Sequence, residues 1–345
     1  MVDAGMTMSF HTQNRPPLLF GLLTKNRTQY RTKSSSFVAA VQVSSVLQTN
    51  ESGNLPESKK VRNSGLPLTR CHVLSQPNTV GIIGGVSVYS SLLFLEKLVW
   101  WSLKDGGECP PFIVCSDPTL YKELPIRSLL HSLKRSTSSA QILSNNWPVI
   151  ESLCRKRAFL EHSGARCIVM PCHLSHAWHD QISEDCSLRF LHIGECVARE
   201  LREAKLKPLE KGSNVRIGVL AADATLTAGF YQEKLQSQSP AKNIFRCNGN
   251  GQGFDVVVPD KQTMEHLVIP TIEAIKRRDM EGARNLLSIA VQVLLVRAVN
   301  TVIIASDELQ GVLPPDDPLL KKCIDPMDAL ARSTIKWAKA TGKSG

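Results

Sequence analysis

Ten cysteines are scattered over the 345 residues without one C-x-x-C pair. That spacing argues against zinc ribbons and thioredoxin-type redox motifs, and without a secretory signal reduced thiols are the default. Long apolar runs are missing as well. The longest apolar region, Leu286 to Ile304, is interrupted by Gln292, Arg297 and Asn300. It reads as a helix leading into a strand, so no membrane partner is expected. The glycine turn Gly81-x-x-Gly84-Gly85 lacks the G-x-G-x-x-G spacing, and no acid is clearly placed after the second strand to hold a ribose. A dinucleotide is therefore not expected, and the glycines instead suit a close approach of backbone to a small ligand.

Acids are scarce near the start. Residues 1–70 hold nine Lys/Arg against Asp3, Glu51 and Glu57. They carry +6 of the net +10 and leave only +4 on the remainder, which gives no case for a nucleic-acid partner. The same stretch is rich in hydroxyl residues, with Ser34-Ser35-Ser36 beside Arg31 and Lys33. Basic, Ser/Thr-rich and acid-poor is the composition of an organelle transit peptide. Ser and Thr outnumber Arg, which favours plastid over mitochondrion, with cleavage between about 45 and 70. The competing reading is a disordered tail without an address.

Beyond the leader the chain alternates strand and helix. Val80 to Gly85 reads as a strand running into a glycine turn, followed by a helix from about Ser90 to Leu103. Phe112 to Cys115 is a second strand. Pro148 opens a helix to about His162, with Gly164 past its end. Strands follow at Cys167 to Met170 and Arg189 to Ile193. The pattern then restarts with a strand at Val215 to Ala222, a helix at Ala228 to Ser237 and a strand at Phe254 to Val258. Helix in two pieces around Gly282 covers Thr271 to Arg297, and Thr301 to Ser306 is the last strand. A final helix runs from about Pro326 to Ala340, while Gln238 to Gly253 is a loop without periodicity. The expected fold class is α/β, two pseudo-symmetric Rossmann-like three-layer halves with a ligand cleft between them. Residues 1–70 form the leader, 78–195 the first half, 196–319 the second, and 320–345 return to complete the first.

The most informative stretch is Cys167-Ile168-Val169-Met170-Pro171-Cys172-His173-Leu174-Ser175-His176. Pro171 cannot continue a central strand, so Cys172 stands just past a strand's carboxyl end, where open α/β sheets place their ligands. If it opens a helix, the helix N-terminus lowers its thiol pKa and makes it a nucleophile or proton-transfer base. A small buried hydrophobe is the other reading. His173, His176 and His179 follow at intervals of three and would share one helix face. Their positions drift around the helix by about 60°, which makes a three-ligand metal site awkward, and no metal is expected.

The segment Met170 to His176 resembles the P-C-N-T-x-H segment of the aspartate/glutamate racemase superfamily. Gly81 to Gly85 is similar to that family's opening glycine turn, and Asp223 to Tyr231 to its T-x-x-T-x-x-G-x-Y segment. Phe254 to Asp260 resembles the strand that follows there, so four segments match in order between about residues 80 and 340. The resemblance implies a racemase that needs no cofactor and carries one cysteine in each half. One thiolate removes the α-proton of an amino-acid or dicarboxylate substrate, and the opposite thiol returns one to the other face. It also implies a homodimer. Carried over to this chain, Cys172 is the first-half catalytic cysteine and His176 a helper beside it. Ser306 stands where the second thiol is expected. Gly85, Ser87, Ser91, His173, Thr225, Asp307 and Glu308 become substrate-binding candidates. Departures cluster at the site: Ser306 for cysteine, His173-Leu174 for Asn-Thr, Ala222 for the first threonine. An unaided serine is a far weaker acid than a thiol. Activity that is weak or one-sided is one consequence; a homologue that binds a small carboxylate or a protein partner without turnover is the alternative.

Overall fold

A computed structural model describes residues 76–117, 139–210, 213–236 and 254–342. The leader at 1–70 and the loop at 238–253 lie outside the described residues. Two four-stranded parallel sheets carry the fold. The first contains β1 (Val80–Ile83), β2 (Phe112–Cys115), β3 (Cys167–Val169) and β4 (Arg189–Leu191), in the order β2-β1-β3-β4. The second contains β5 (Arg216–Leu220), β6 (Asp255–Val257), β7 (Thr301–Ile304) and β8 (Cys323–Ile324), in the order β6-β5-β7-β8. The two orders are the same pattern repeated.

Short β-branched runs make the central strands because both sheet faces are covered. β1, β3 and β7 are buried along their whole length. One apolar cluster runs through both halves, joining Val80, Ile82, Phe94 and Val169 to Ile217, Val219, Ile303 and Leu330. No described helix is long and apolar enough to cross a membrane.

In the first half, α1 (Val88–Lys104) is capped by Ser87, whose side chain accepts from the Ser90 N–H at 3.3 Å. The next helix, α2 (Ser139–His162), corrects an expectation. Pro148 does not open it but lies inside it. Proline lacks the N–H that would bond four residues back, so it costs the helix one hydrogen bond without ending it. The three histidines also depart from expectation. His173 precedes a 3₁₀ turn, Leu174–Trp178, His176 lies within it, and His179 begins the short helix α3 (His179–Ser183). α4 (Ile193–Glu203) follows, with His192 Nδ1 accepting from the Gly194 N–H at 3.0 Å as its cap.

In the second half, the helix expected from Ala228 is two helices, α5 (Asp223–Ala228) and α6 (Phe230–Gln236), broken at Gly229. Gly229 has φ +71°, a left-handed conformation open to glycine. Past a π-helical turn at Met264–Val268 come α7 (Ile269–Lys276) and α8 (Met280–Val296). Their break falls at Arg277 to Asp279 rather than at Gly282, because Asp279 accepts from the Gly282 N–H at 2.9 Å and starts the second helix.

The closing helix α9 (Pro326–Gly342) packs on α1 and α4 of the first half. Lys97 is buried there between Asp325 at 2.7 Å and Asp328 at 2.8 Å, and the Trp101 indole N–H also donates to Asp328 at 2.8 Å. Breaking such a buried ion pair costs about 3–5 kcal/mol. Arg332 adds a two-pronged bond to Glu200, at 2.8 and 2.6 Å.

Candidate functional site

β3 delivers the candidate cysteine. Its buried run ends, Pro171 turns the chain, and Cys172 is left only 2% exposed. Three hydrogen-bonding groups favour its thiolate: the Ser175 hydroxyl and the backbone N–H groups of Ser87 and Ser175. Gly85 makes the approach feasible. A Cβ on that residue would overlap the Cys172 Cβ and stand 2.6 Å from Ser175 Oγ. Sequence reasoning singled out Gly85, Ser87 and Cys172 but missed Ser175, which carries no signal beyond its place three residues after the cysteine.

The expected low thiol pKa is not found. Cys172 precedes a five-residue 3₁₀ turn instead of starting a full helix, so little dipole acts on it. Burial pushes its pKa up, and the Asp307 carboxylate pushes in the same direction against the three donors. A raised pKa makes the thiolate scarcer and a stronger base once formed.

β7 delivers the opposite loop, Ala305 to Glu308. Ser306 is buried, and its hydroxyl donates to Glu308 Oε2 at 2.6 Å, while Glu308 itself is exposed. Asp307 is buried and reaches across to first-half residues. It accepts a hydrogen bond from the Ser90 hydroxyl, and its Oδ1 lies 3.4 Å from His173 Nε2. Burial raises the Asp307 pKa, opposed mainly by His173 and Ser90. His173 Nδ1 in turn shares a hydrogen bond of 2.9 Å with the hydroxyl of Tyr231, whose own pKa burial drives well up. Ser90, Asp307, His173 and Tyr231 thus form a polar chain that crosses between the halves three times. Ser90, one of the serines that could supply a hydroxyl here, and Tyr231, the last residue of the matched Asp223 to Tyr231 segment, are its further members.

The remaining candidates divide. Ser91 is buried, and its hydroxyl has no hydrogen-bond partner among the described residues; the same holds for His173 Nε2 and Asp307 Oδ1. Thr225 is buried on α5, which packs against the 3₁₀ turn beyond Cys172. His176 joins a different group. Its Nε2 donates to the Met170 carbonyl at 2.7 Å, and its ring packs with His179, His192 and Phe230 at centroid distances of 5.8, 4.6 and 5.7 Å. Burial and the neighbouring imidazoles hold His176 well below the usual histidine range, and burial brings His192 to about 2. The His176 and His179 rings stack, and among the described residues no group of three or more His, Cys, Asp or Glu side chains is arranged to hold a metal ion.

The described geometry therefore joins a donor-held thiol from one half to a carboxyl–imidazole pair whose carboxyl comes from the other. Comparison with known proteins bears on the family and the fold. The family model described as Asp/Glu/Hydantoin racemase matches residues 83–334. A broad-specificity amino-acid racemase of Bacillus subtilis is 23% identical over 262 residues, 74% of this chain and 96% of that protein. Among solved structures, an aspartate racemase of Picrophilus torridus superposes with a TM-score of 0.53 at 20% identity, covering 76% of this chain and 94% of that one. An aspartate racemase homologue of Pyrococcus horikoshii gives a TM-score of 0.53 at 19% identity, over 76% and 99% of the two chains. At such identities the structures speak for the fold alone.

Proposed function

The chain belongs to the Asp/Glu/hydantoin racemase family, and from that premise we propose that it is an amino-acid isomerase working without pyridoxal phosphate. Its substrate is aspartate, glutamate or a similar α-amino acid, and its reaction is proton transfer at Cα. One observation carries the reading: Cys172 is buried against the Gly85 turn of the first half, and the buried Asp307 carboxyl of the second half reaches Ser90 and His173, the residue next to that cysteine. Two proton-carrying groups, supplied by different halves, are what a two-base proton transfer requires.

A carboxyl is intrinsically far more acidic than a thiol, so thiol plus carboxylate is the resting form. Asp307 then takes the α-proton from one enantiomer while the Cys172 thiol protonates the opposite face. The reverse reaction starts from Cys172 thiolate and protonated Asp307. In each direction one Cα–H bond breaks and one forms. Ser91 Oγ and His173 Nε2, buried polar atoms that make no hydrogen bond among the described residues, suit the oxygens of the substrate's α-carboxylate and the charge that develops on them. Ser306 is assigned to holding Glu308, and Gly85, Ser87 and Thr225 to shaping the site around Cys172.

The commitment of the Ser306 hydroxyl to Glu308 also favours a second reading, a homologue that binds a small carboxylate without turnover. Proton NMR in D₂O separates the two. The protein is incubated with each enantiomer of aspartate, glutamate and a set of neutral and basic amino acids. Loss of a Cα proton signal that vanishes in Cys172→Ser supports the isomerase; saturable binding with no exchange supports the second reading. We further propose a plastid address for the leader and a homodimeric state, tested by imaging a fluorescent fusion of residues 1–70 and by sedimentation.

A further inference from the structure

Lys156 is a buried cation that the proton transfer above does not use. α2 carries it beneath the glycine turn, where it is 5% exposed and its Nζ donates to the Gly84 carbonyl at 3.0 Å. The next residue, Gly85, is the one whose missing Cβ admits Cys172. Ammonium, turn and cysteine are therefore packed in sequence, one against the next. Burial lowers the Lys156 pKa, and the charges that pull it back up are those of Asp117, Cys115 and Cys172. Burial and then the Asp307 charge, from the loop after β7, push the Cys172 pKa up, and hydrogen-bonding groups of Ser175 and Ser87 oppose them. Keeping a lysine in so dry a place is costly unless its charge is matched, and its field then acts strongly on its neighbours.

We propose that Lys156 is a positioning residue for Cys172: it holds the glycine turn closed on the cysteine and supplies the positive charge that offsets Asp307. The inference rests on Cys172 being the thiol of the site, but its test needs no substrate. Thiolate absorbance near 240 nm is followed against pH in the full-length protein, and the signal of the matching Cys172→Ser protein is subtracted. Lys156→Met is expected to raise the Cys172 midpoint by about one pH unit, roughly tenfold less thiolate at a given pH. Lys156→Arg, which keeps the charge, is expected to restore most of that shift. An unchanged midpoint in folded Lys156→Met overturns the proposal, and so does an equal rise in Lys156→Arg. Should Lys156→Met fail to fold, the coupling is read from the other side with Lys156 in place. NMR of the ¹⁵N-labelled lysine ammonium should show Lys156 titrating at lower pH in Cys172→Ser than in wild type, and identical titrations overturn the idea. Absence of Cα exchange with every amino acid would sink the isomerase reading and leave these titrations to decide the role of Lys156.

Discussion

The loop after β3 and the loop after β7 occupy equivalent places in two sheets of the same strand order, yet they hold different chemistry. The first keeps a sulfur among three donors with a glycine pressed against it. The second spends its serine on a neighbouring glutamate and sends an aspartate across to the first half. Repeating a sheet repeats the position of a site but not its proton affinities, which depend on the side chains that each loop meets. A half-site whose loop offers a serine is thus not empty of ionisable groups, because the adjacent carboxyl is buried beside it.

The comparison breaks first at Asp307. Asp307→Asn is expected to cut Cα exchange by about 10²–10³-fold, the range of a lost general base. It should also lower the Cys172 thiolate midpoint, since a neighbouring negative charge is gone. Exchange NMR and thiolate absorbance check the two effects together. Next, Gly85→Ala puts a methyl group where the Cys172 Cβ already sits. Overpacking of this kind costs about 1–3 kcal/mol, read from urea denaturation, and should displace the sulfur enough to impair exchange.

A smaller effect concerns the imidazoles beside the first loop. His192 titrates at about 2 when folded, against an ordinary value near 6.5, so unfolding takes up a proton. Its contribution is complete above about pH 6.5 and is lost as pH falls towards 2, with a slope of at most about 1.4 kcal/mol per pH unit. His192→Asn keeps a capping acceptor for Gly194 and should flatten that slope in denaturation curves measured between pH 7 and 5. Smallest of all is Ser306→Ala. If Asp307 carries the second half's chemistry, it costs about 1 kcal/mol or less and leaves exchange within a few-fold. A collapse of exchange there would return the second role to Ser306 and overturn the contrast.

The alternating plan was legible because each strand is a compact β-branched run closed by proline, glycine or small residues, as in Val80 to Gly85 and Thr301 to Ser306. Legibility failed where local signals competed with packing. Pro148 looked like a helix opener and is an interior residue; Gly282 looked like a break and follows one. At the site, Cys172, Gly85, His173 and Asp307 carried a pattern, and Tyr231 closed a matched segment, but nothing in the sequence paired them with their partners. Ser90 meets Asp307 across 217 positions, Tyr231 meets His173 across 58, and Lys156 meets Gly84 across 72. No periodicity marks a serine, tyrosine or lysine for a contact so distant in the chain. The thiol's raised pKa was hidden for a related reason: it comes first from burial and then from an aspartate of the other half.

The return of α9 to the first half has a consequence for how the protein is made. Lys97 emerges from the ribosome long before Asp325 and Asp328, and Trp101 and Glu200 wait in the same way for their partners. The half that is translated first is therefore the half completed last, and until α9 arrives its outer helices expose an apolar face and an uncompensated lysine. Cutting the gene between β4 and β5 would not yield two self-sufficient pieces.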